Sequence, residues 1–210
     1  AGVVHSMGID TNGRLWAWGS NATGAVGDGT ETDRLLPTQI GNENDWKFID
    51  LGFNHSLAIK ADDTLWAWGL NDYGQIGDST TADKFAPVQV TTGNGWKLVS
   101  GGSRFSLGIQ NNGTLWAWGQ NDTGQLGLGN TTTKKIPTQV GTVSNWDSVS
   151  AGHGCIADTT SAARNPLDTA PSRDGWAVTS PASNTLGIAV RTPGSARRTP
   201  GGTRNWANSS

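Results

Sequence analysis

The chain is short of the residues that carry cross-links, charge and helices. Cys155 is the only cysteine in 210 residues, which excludes an internal disulfide and any zinc site of the Cys-x-x-Cys kind. Charged residues make up 15% of the chain, with one tyrosine and one methionine. That composition is poor for helices. No apolar run approaches the roughly 20 residues that cross a bilayer as a helix, so no membrane association is expected. The chain opens on Ala1 rather than on a charged and then hydrophobic leader, as a mature product or an excised piece would. The formal net charge is −2, which gives no reason to expect a nucleic-acid partner. Residues 151–210 are mildly basic, with Arg197 and Arg198 adjacent, but such a patch lacks the density and interleaved aromatics of a nucleic-acid surface.

What is abundant is glycine, 30 residues, and tryptophan, 11 residues. Both recur at fixed intervals. The segment LWAWG occurs at Leu15 to Gly19, Leu65 to Gly69 and Leu115 to Gly119, and a further tryptophan at Trp46, Trp96 and Trp146. The period is 50 residues without an insertion, the signature of a repeat architecture. It divides the chain into units 1–50, 51–100 and 101–150, followed by residues 151–210. Identical columns include Gly2/Gly52/Gly102, Ile9/Ile59/Ile109, Asn21/Asn71/Asn121 and Pro37/Pro87/Pro137, so each unit needs the same backbone and the same contacts.

In each unit two strand-like runs flank a turn signal, Asn12-Gly13, Asp62-Asp63 or Asn112-Gly113. An Asn-Gly pair between alternating runs is the strongest short-range hairpin signal, because both residues tolerate positive φ, so this part of each unit is expected to be a β-hairpin. Along LWAWG, alternation places Leu and Ala on one face and both tryptophans on the other. Neither face is polar, so both must be covered, as in blades stacked against one another. Trp16, Trp18, Trp46, Trp66, Trp68, Trp96, Trp116, Trp118 and Trp146 form the expected structural core. A glycine-punctuated stretch and a P-x-Q-[VI] run follow the hairpin, and the unit closes on an alternating run such as Trp96-Lys97-Leu98-Val99. Each unit thus reads as four short strands, or three strands and an irregular arm.

The Gly-His-Ser start, LWAWG, N-x-x-G-Q-[LI]-G and P-x-Q-[VI] together resemble the regulator of chromosome condensation repeat, and the look is that of bacterial or environmental members. The resemblance implies an all-β fold of β-propeller blades in which each repeat supplies about one blade of seven. Three clean repeats and one degenerate fall short of seven, which leaves three readings: an incomplete ring, a part of a longer propeller, or a strained four-bladed closure. The resemblance also implies partner binding, as in eukaryotic members that exchange nucleotides on a small GTPase and in a bacterial secreted propeller that inhibits β-lactamases. Neither role transfers to particular residues here, and a soluble, secreted bacterial setting is the lean. Residues 151–210 restart the pattern at Ala151-Gly152-His153. With a ten-residue insertion, Trp176-Ala177, Leu186-Gly187 and Trp206 fall on repeat columns. They form either a degenerate fourth repeat or a disordered tail.

No catalytic, metal or cofactor site is expected. His5-Ser6 and His55-Ser56 are adjacent in sequence and so point to opposite faces of a strand, unable to act as base and nucleophile. A histidine bonded to neighbouring backbone is the reading for each. Asp28, Glu31 and Asp33 crowd one loop, but the charge fades in later copies and the order is not that of a calcium loop. Gly24, Gly27 and Gly29 lack the helix and lysine of a phosphate loop. Asn21, Asn54, Asn112, Asn121 and Asn130 open Asn-x-Ser/Thr sequons that matter only in a eukaryotic secreted setting. The expected role is a binding scaffold rather than an enzyme, with an unknown protein partner. Recognition is placed at columns that vary between copies: Phe53, Leu70, Asp72, Tyr73, Gln120 and Asp122. The open edges of an incomplete ring also permit a second copy to complete it.

Overall fold

The computed structural model describes residues 4–90 and 93–152. It contains eleven strands and no helix among those residues: β1 His5–Ile9, β2 Leu15–Gly19, β3 Arg34–Gln39, β4 Trp46–Leu51, β5 His55–Lys60, β6 Leu65–Gly69, β7 Lys84–Gln89, β8 Trp96–Gly101, β9 Phe105–Gln110, β10 Leu115–Gly119 and β11 Lys134–Gln139. They make three antiparallel sheets in chain order, β1-β2-β3, β4-β5-β6-β7 and β8-β9-β10-β11. Each is a blade, and the two complete ones have four strands. Sheet and sequence repeat are out of phase. Each four-stranded sheet opens on the tryptophan that closes the previous 50-residue unit, so the second blade runs from Trp46 to Gln89. The expected fourth repeat, with Cys155, Trp176 and Trp206, lies outside the described residues except for Ala151 and Gly152.

The expected hairpins are present, β1–β2, β5–β6 and β9–β10, each closed by a three-residue loop. Asp10 N donates to Arg14 O and Gly13 N to Asp10 O, so the loop is three residues long, and only its last residue has positive φ: Gly13 at 78°, Gly113 at 78° and Asp63 at 65°. This is a type I turn followed by a left-handed residue, which splays less than a type I turn alone. Asp63 holds that conformation without being glycine, and its carboxylate links Lys47 of β4 to Asn111, whose Nδ2 donates at 2.6 Å. Pro37, Pro87 and Pro137 sit in the outer strands β3, β7 and β11. There, a residue without N–H costs no ladder bond and discourages pairing with a further strand.

The core is in the seams between blades. One cluster joins Leu15, Ala17, Val26 and Ile40 of the first blade to Trp46, Ala58 and Trp68 of the second. The next joins Leu57, Ile59, Leu65, Ala67, Ile76 and Val90 to Trp96, Val99 and Trp118. At both seams, Leu and Ala of one LWAWG thus face the following blade and the tryptophans of the next LWAWG face the preceding one, as alternation requires. Trp46 meets Trp66 and Trp68 edge to face, with centroids 6.0 and 6.3 Å apart, and Trp96 meets Trp116 and Trp118 at 6.2 and 5.8 Å. Such pairs are favourable geometry for indoles. Trp68, Trp96 and Trp118 are fully buried and Trp46 nearly so, whereas Trp16, Trp18, Trp66, Trp116 and Trp146 are half-buried. Along the inner edge, β4 and β8 approach so closely that a Cβ on Gly101 would lie 2.4 Å from Gly52 N. Only glycine fits there.

Candidate functional site

The seams bring together what one copy holds apart. His5 Nε2 lies 2.8 Å from Ser56 Oγ, and His55 Nε2 lies 3.0 Å from Ser106 Oγ. Each histidine therefore pairs with the serine of the next blade, rather than with neighbouring backbone as its sequence suggested. The distance would suit a base and nucleophile, but the hydrogen bonds assign another role. Ser56 Oγ donates to Ala25 O at 2.8 Å and Ser106 Oγ to Gln75 O at 2.9 Å. With the hydroxyl proton committed to a carbonyl, the imidazole Nε2 must be the donor to the serine oxygen. The same carbonyls accept the indole N–H of Trp68 at 3.0 Å and of Trp118 at 2.8 Å. Ser56, Ser106 and His55 are wholly buried and His5 is 2% exposed, so no substrate reaches them. Burial lowers the pKa of His5 to about 4, which keeps the ring neutral and the seam uncharged.

The loop after each LWAWG is built on a buried asparagine. Asn71 Nδ2 donates to Asp78 Oδ1, Thr80 O and Ala82 O at 3.0 to 3.3 Å, while its Oδ1 accepts from Ile76 N at 3.0 Å. Asn21 repeats the pattern with Asp28, Thr30 and Thr32, and Asn121 with Asn130 and Thr132. All three are fully buried, so the sequons at Asn21 and Asn121 offer no free amide to a modifying enzyme. The acidic loop is likewise internally satisfied. Burial alone would raise the Asp28 carboxyl, but hydrogen bonds from Thr30 and Arg34 outweigh it and hold the group below its usual range. Asp78 follows the same balance with Lys84 and Thr80. Asp33 and Asp83 accept from the backbone of Asn21 and Asn71. No group of three metal-capable side chains occurs among the described residues.

The varying columns fall on the rim formed by the β4–β5 and β6–β7 connections of the second blade and the β8–β9 and β10–β11 connections of the third. Leu70 N donates to Asn54 O and Gln120 N to Arg104 O, so in each blade these two connections lie side by side. Phe53 N donates to Gly102 O of the third blade at 3.1 Å, and Phe53, Leu70 and Tyr73 are half-buried. Across the second seam, Arg104 places its guanidinium 5.2 Å from the Tyr73 ring centroid and 3.6 Å from Asp72. The buried Gln75 fixes this pair from below, accepting from Tyr73 N and donating to Asp72 at 2.9 Å each. Gln120 is only 3% exposed and donates to Asp122 at 3.0 Å. It therefore supports the exposed Asp122 rather than lying on the surface. Arg104 was not among the residues picked from the sequence, although its column varies as widely as theirs, through Val4 and Asn54.

Stacked four-stranded antiparallel blades with apolar seams define a β-propeller-type repeat protein. The repeat described as "Regulator of chromosome condensation (RCC1) repeat" matches residues 12–59, 62–109 and 112–157, with a second form of it at 46–75 and 96–125, and the chain belongs to that family. No curated protein matches the sequence. Among solved structures, Prp20p from Saccharomyces cerevisiae, studied for its binding to Gsp1p and histones, is similar with a TM-score of 0.66. Identity is 22%, over 73% of this chain and 41% of that one. Yeast RCC1 (Prp20) with Kap60 bound gives 0.64 and 24%, over 72% and 38%. The chain thus spans about two fifths of those proteins, and at such identity the likeness is one of fold. Neither finding bears on the lean towards a secreted bacterial protein. Among the described residues no helix is long and apolar enough to cross a membrane.

Proposed function

We propose that this chain is a scaffold for protein–protein interaction whose recognition surface is the rim around Tyr73, Asp72 and Arg104, flanked by Phe53, Leu70 and Asp122. The observation that carries it is the Tyr73–Arg104 contact across a seam. An aromatic and an arginine, the residue types that dominate interface energies, are held on a rigid base while remaining partly open to solvent. The repeated columns build the seams, and the rim columns are free to differ from blade to blade, as expected when loops on a fixed scaffold carry recognition. Fold relatives that bind proteins, such as Prp20p with Gsp1p and histones, support protein as the partner class; the exchange-factor and secreted-inhibitor roles of the family have no residue to rest on here. A pull-down with the full chain against a Tyr73→Ala/Arg104→Glu variant tests the proposal. Proteins retained by the wild type should be lost with the variant, and equal retention would contradict it.

A second reading rests on the first blade. Its outer face carries Ser6 and Trp18, whose counterparts in later blades are buried, and Leu35 and Leu36, which are 93% and 75% exposed. A second copy seated there would complete more of a ring. Light scattering should then give twice the 22.0 kDa of one chain, with Leu35→Ser/Leu36→Ser restoring the single mass.

A further inference from the structure

Charge on the rim is balanced from seam to seam until the third blade. Where the first blade meets the second, the columns of Asp72 and Arg104 hold Ala22 and Asn54, both neutral. Where the second meets the third, they hold an acid and a base in contact, Asp72 and Arg104 at 3.6 Å. In the third blade the acid stands alone. Asp122 is exposed, it takes part in none of the ion pairs among the described residues, and one repeat after Arg104 the sequence has Gly154. We infer that Asp122 receives a basic side chain of the protein partner, an arginine, in the way that Asp72 receives Arg104.

The two carboxylates are held by the same frame. Gln75 accepts from Tyr73 N and its Nε2 donates to Asp72 Oδ1, both at 2.9 Å. Gln125 accepts from Thr123 N at 3.0 Å and donates to Asp122 Oδ1 at 3.2 Å. Asp122 is fixed from a second side as well, because the buried Gln120 donates to its Oδ2 at 3.0 Å. Both donors are neutral amides. They orient the carboxylate and fill part of its acceptor capacity, about four lone-pair sites in all, and they leave its charge in place. A carboxylate already ordered by its own protein loses little freedom on pairing, and that loss is part of what makes most exposed ion pairs weak. The other loop acids are committed: Asp28 and Asp78 pair with Arg34 and Lys84, and Asp33 and Asp83 accept from backbone N–H groups.

Charge and frame together select the class of ligand. An anion is repelled. A metal ion needs several oxygen ligands, and this frame supplies one carboxylate flanked by N–H donors. A guanidinium matches a carboxylate with parallel N–H bonds, and at the second seam the same frame already holds one. There Arg104 also lies over the Tyr73 ring. Thr123 in that column offers no ring, so the partner's arginine pairs with Asp122 without stacking and contributes selectivity more than affinity. The inference rests on the rim being the recognition surface, and it names what the third-blade side of that surface recognises.

The test reads the side-chain amide resonances of Gln75, Gln120 and Gln125 in the ¹⁵N-labelled full chain. It is titrated at low salt with acetyl-Gly-Arg-Gly-Arg-Gly-amide and with the same peptide carrying glutamine in place of arginine. The arginine peptide should shift the Gln120 and Gln125 signals saturably and leave Gln75 in place, and the glutamine peptide should shift none of them. Asp122→Asn, at an exposed position outside the core, should keep the wild-type melting temperature and bind the arginine peptide at least about threefold more weakly. Arg104→Gln, which frees Asp72, should make the Gln75 signal respond as that of Gln120 does. No saturable shift at Gln120 and Gln125, an equal response to the glutamine peptide, equal affinity in Asp122→Asn, or a silent Gln75 in Arg104→Gln would each overturn the inference. Failure of the rim reading looks different, since it is equal retention of proteins by the wild type and by Tyr73→Ala/Arg104→Glu. Loss with that variant and full retention by Asp122→Asn would leave the rim standing and overturn the role of Asp122.

Discussion

The seam between the second and third blades and the outer face of the first blade are built from the same columns but meet different surroundings. In the seam, Trp118 and Ser106 are buried and both donate to Gln75 O. On the outer face, Trp18 and Ser6 are half-exposed and Leu35 stands in solvent, where Phe85 in the same column of the second blade packs over Gly24. One blade is therefore an incomplete folding unit: its tryptophans are buried only when a preceding blade supplies the carbonyl, the histidine and the Leu/Ala face. Stability in such an array resides in nearest-neighbour interfaces more than in the sheets themselves.

The largest effect that sharpens this contrast is Trp96→Ala. Trp96 is fully buried beneath Trp116 and Trp118, and urea unfolding should show a loss of about 4 kcal/mol, typical of a tryptophan removed from a core. A loss no greater than that of an exposed residue would break the account of the seams.

Next comes pH. The folded pKa of His5, about 4, lies below the unfolded value of 6.5. The contribution of the neutral ring is therefore complete above the unfolded value and is lost as pH falls from 6.5 to about 4, a total on the order of 3 kcal/mol. Asp28 and Asp78, held below the usual carboxylate range, add their loss only at lower pH. His5→Gln should flatten the profile between pH about 6.5 and about 4, measured by urea midpoints; an unchanged slope would show that His5 is not buried in its neutral form.

Ser106→Ala against Ser6→Ala is the direct comparison of seam and open face. Removing the Ser106 hydroxyl leaves His55 without that acceptor and should cost about 2 kcal/mol, whereas Ser6→Ala should stay within about 0.5 kcal/mol. Equal costs would mean that the first blade is covered too. Smallest of all, Leu35→Ser should leave the unfolding midpoint of a dilute sample within about 0.5 kcal/mol of wild type, since Leu35 is 93% exposed.

Much of the scaffold was legible from two periods, 50 residues and 2. The first defined the unit and the second assigned Leu65 and Ala67 to one side and Trp66 and Trp68 to the other, which the clusters bear out. What alternation could not tell is which copy lies against which side. His5 and Ser56 are 51 residues apart, and only the order of blades brings them together. The hairpin was legible, but Asn12-Gly13 signals a tight turn without fixing its length, and Arg14 O closes a loop of three residues. The sheet boundary at Trp46 was invisible for a related reason: a repeat has no natural starting column, and hydrogen bonding alone decides where a blade begins. On the rim, variation between copies pointed to Tyr73 and Asp72 but equally to Gln120, which proved buried. Arg104 escaped notice because its neighbours in space, Tyr73 and Asp72, belong to the preceding blade.

Hydrogen exchange of the indole N–H groups, read in ¹⁵N-tryptophan-labelled protein, tests the stacking of blades most directly. Trp68 and Trp118, whose N–H groups close on Ala25 O and Gln75 O of the preceding blade, should exchange far more slowly than Trp18, their counterpart on the open face. Exchange of Trp68 and Trp118 as fast as that of Trp18 would mean that the seams do not exist in solution.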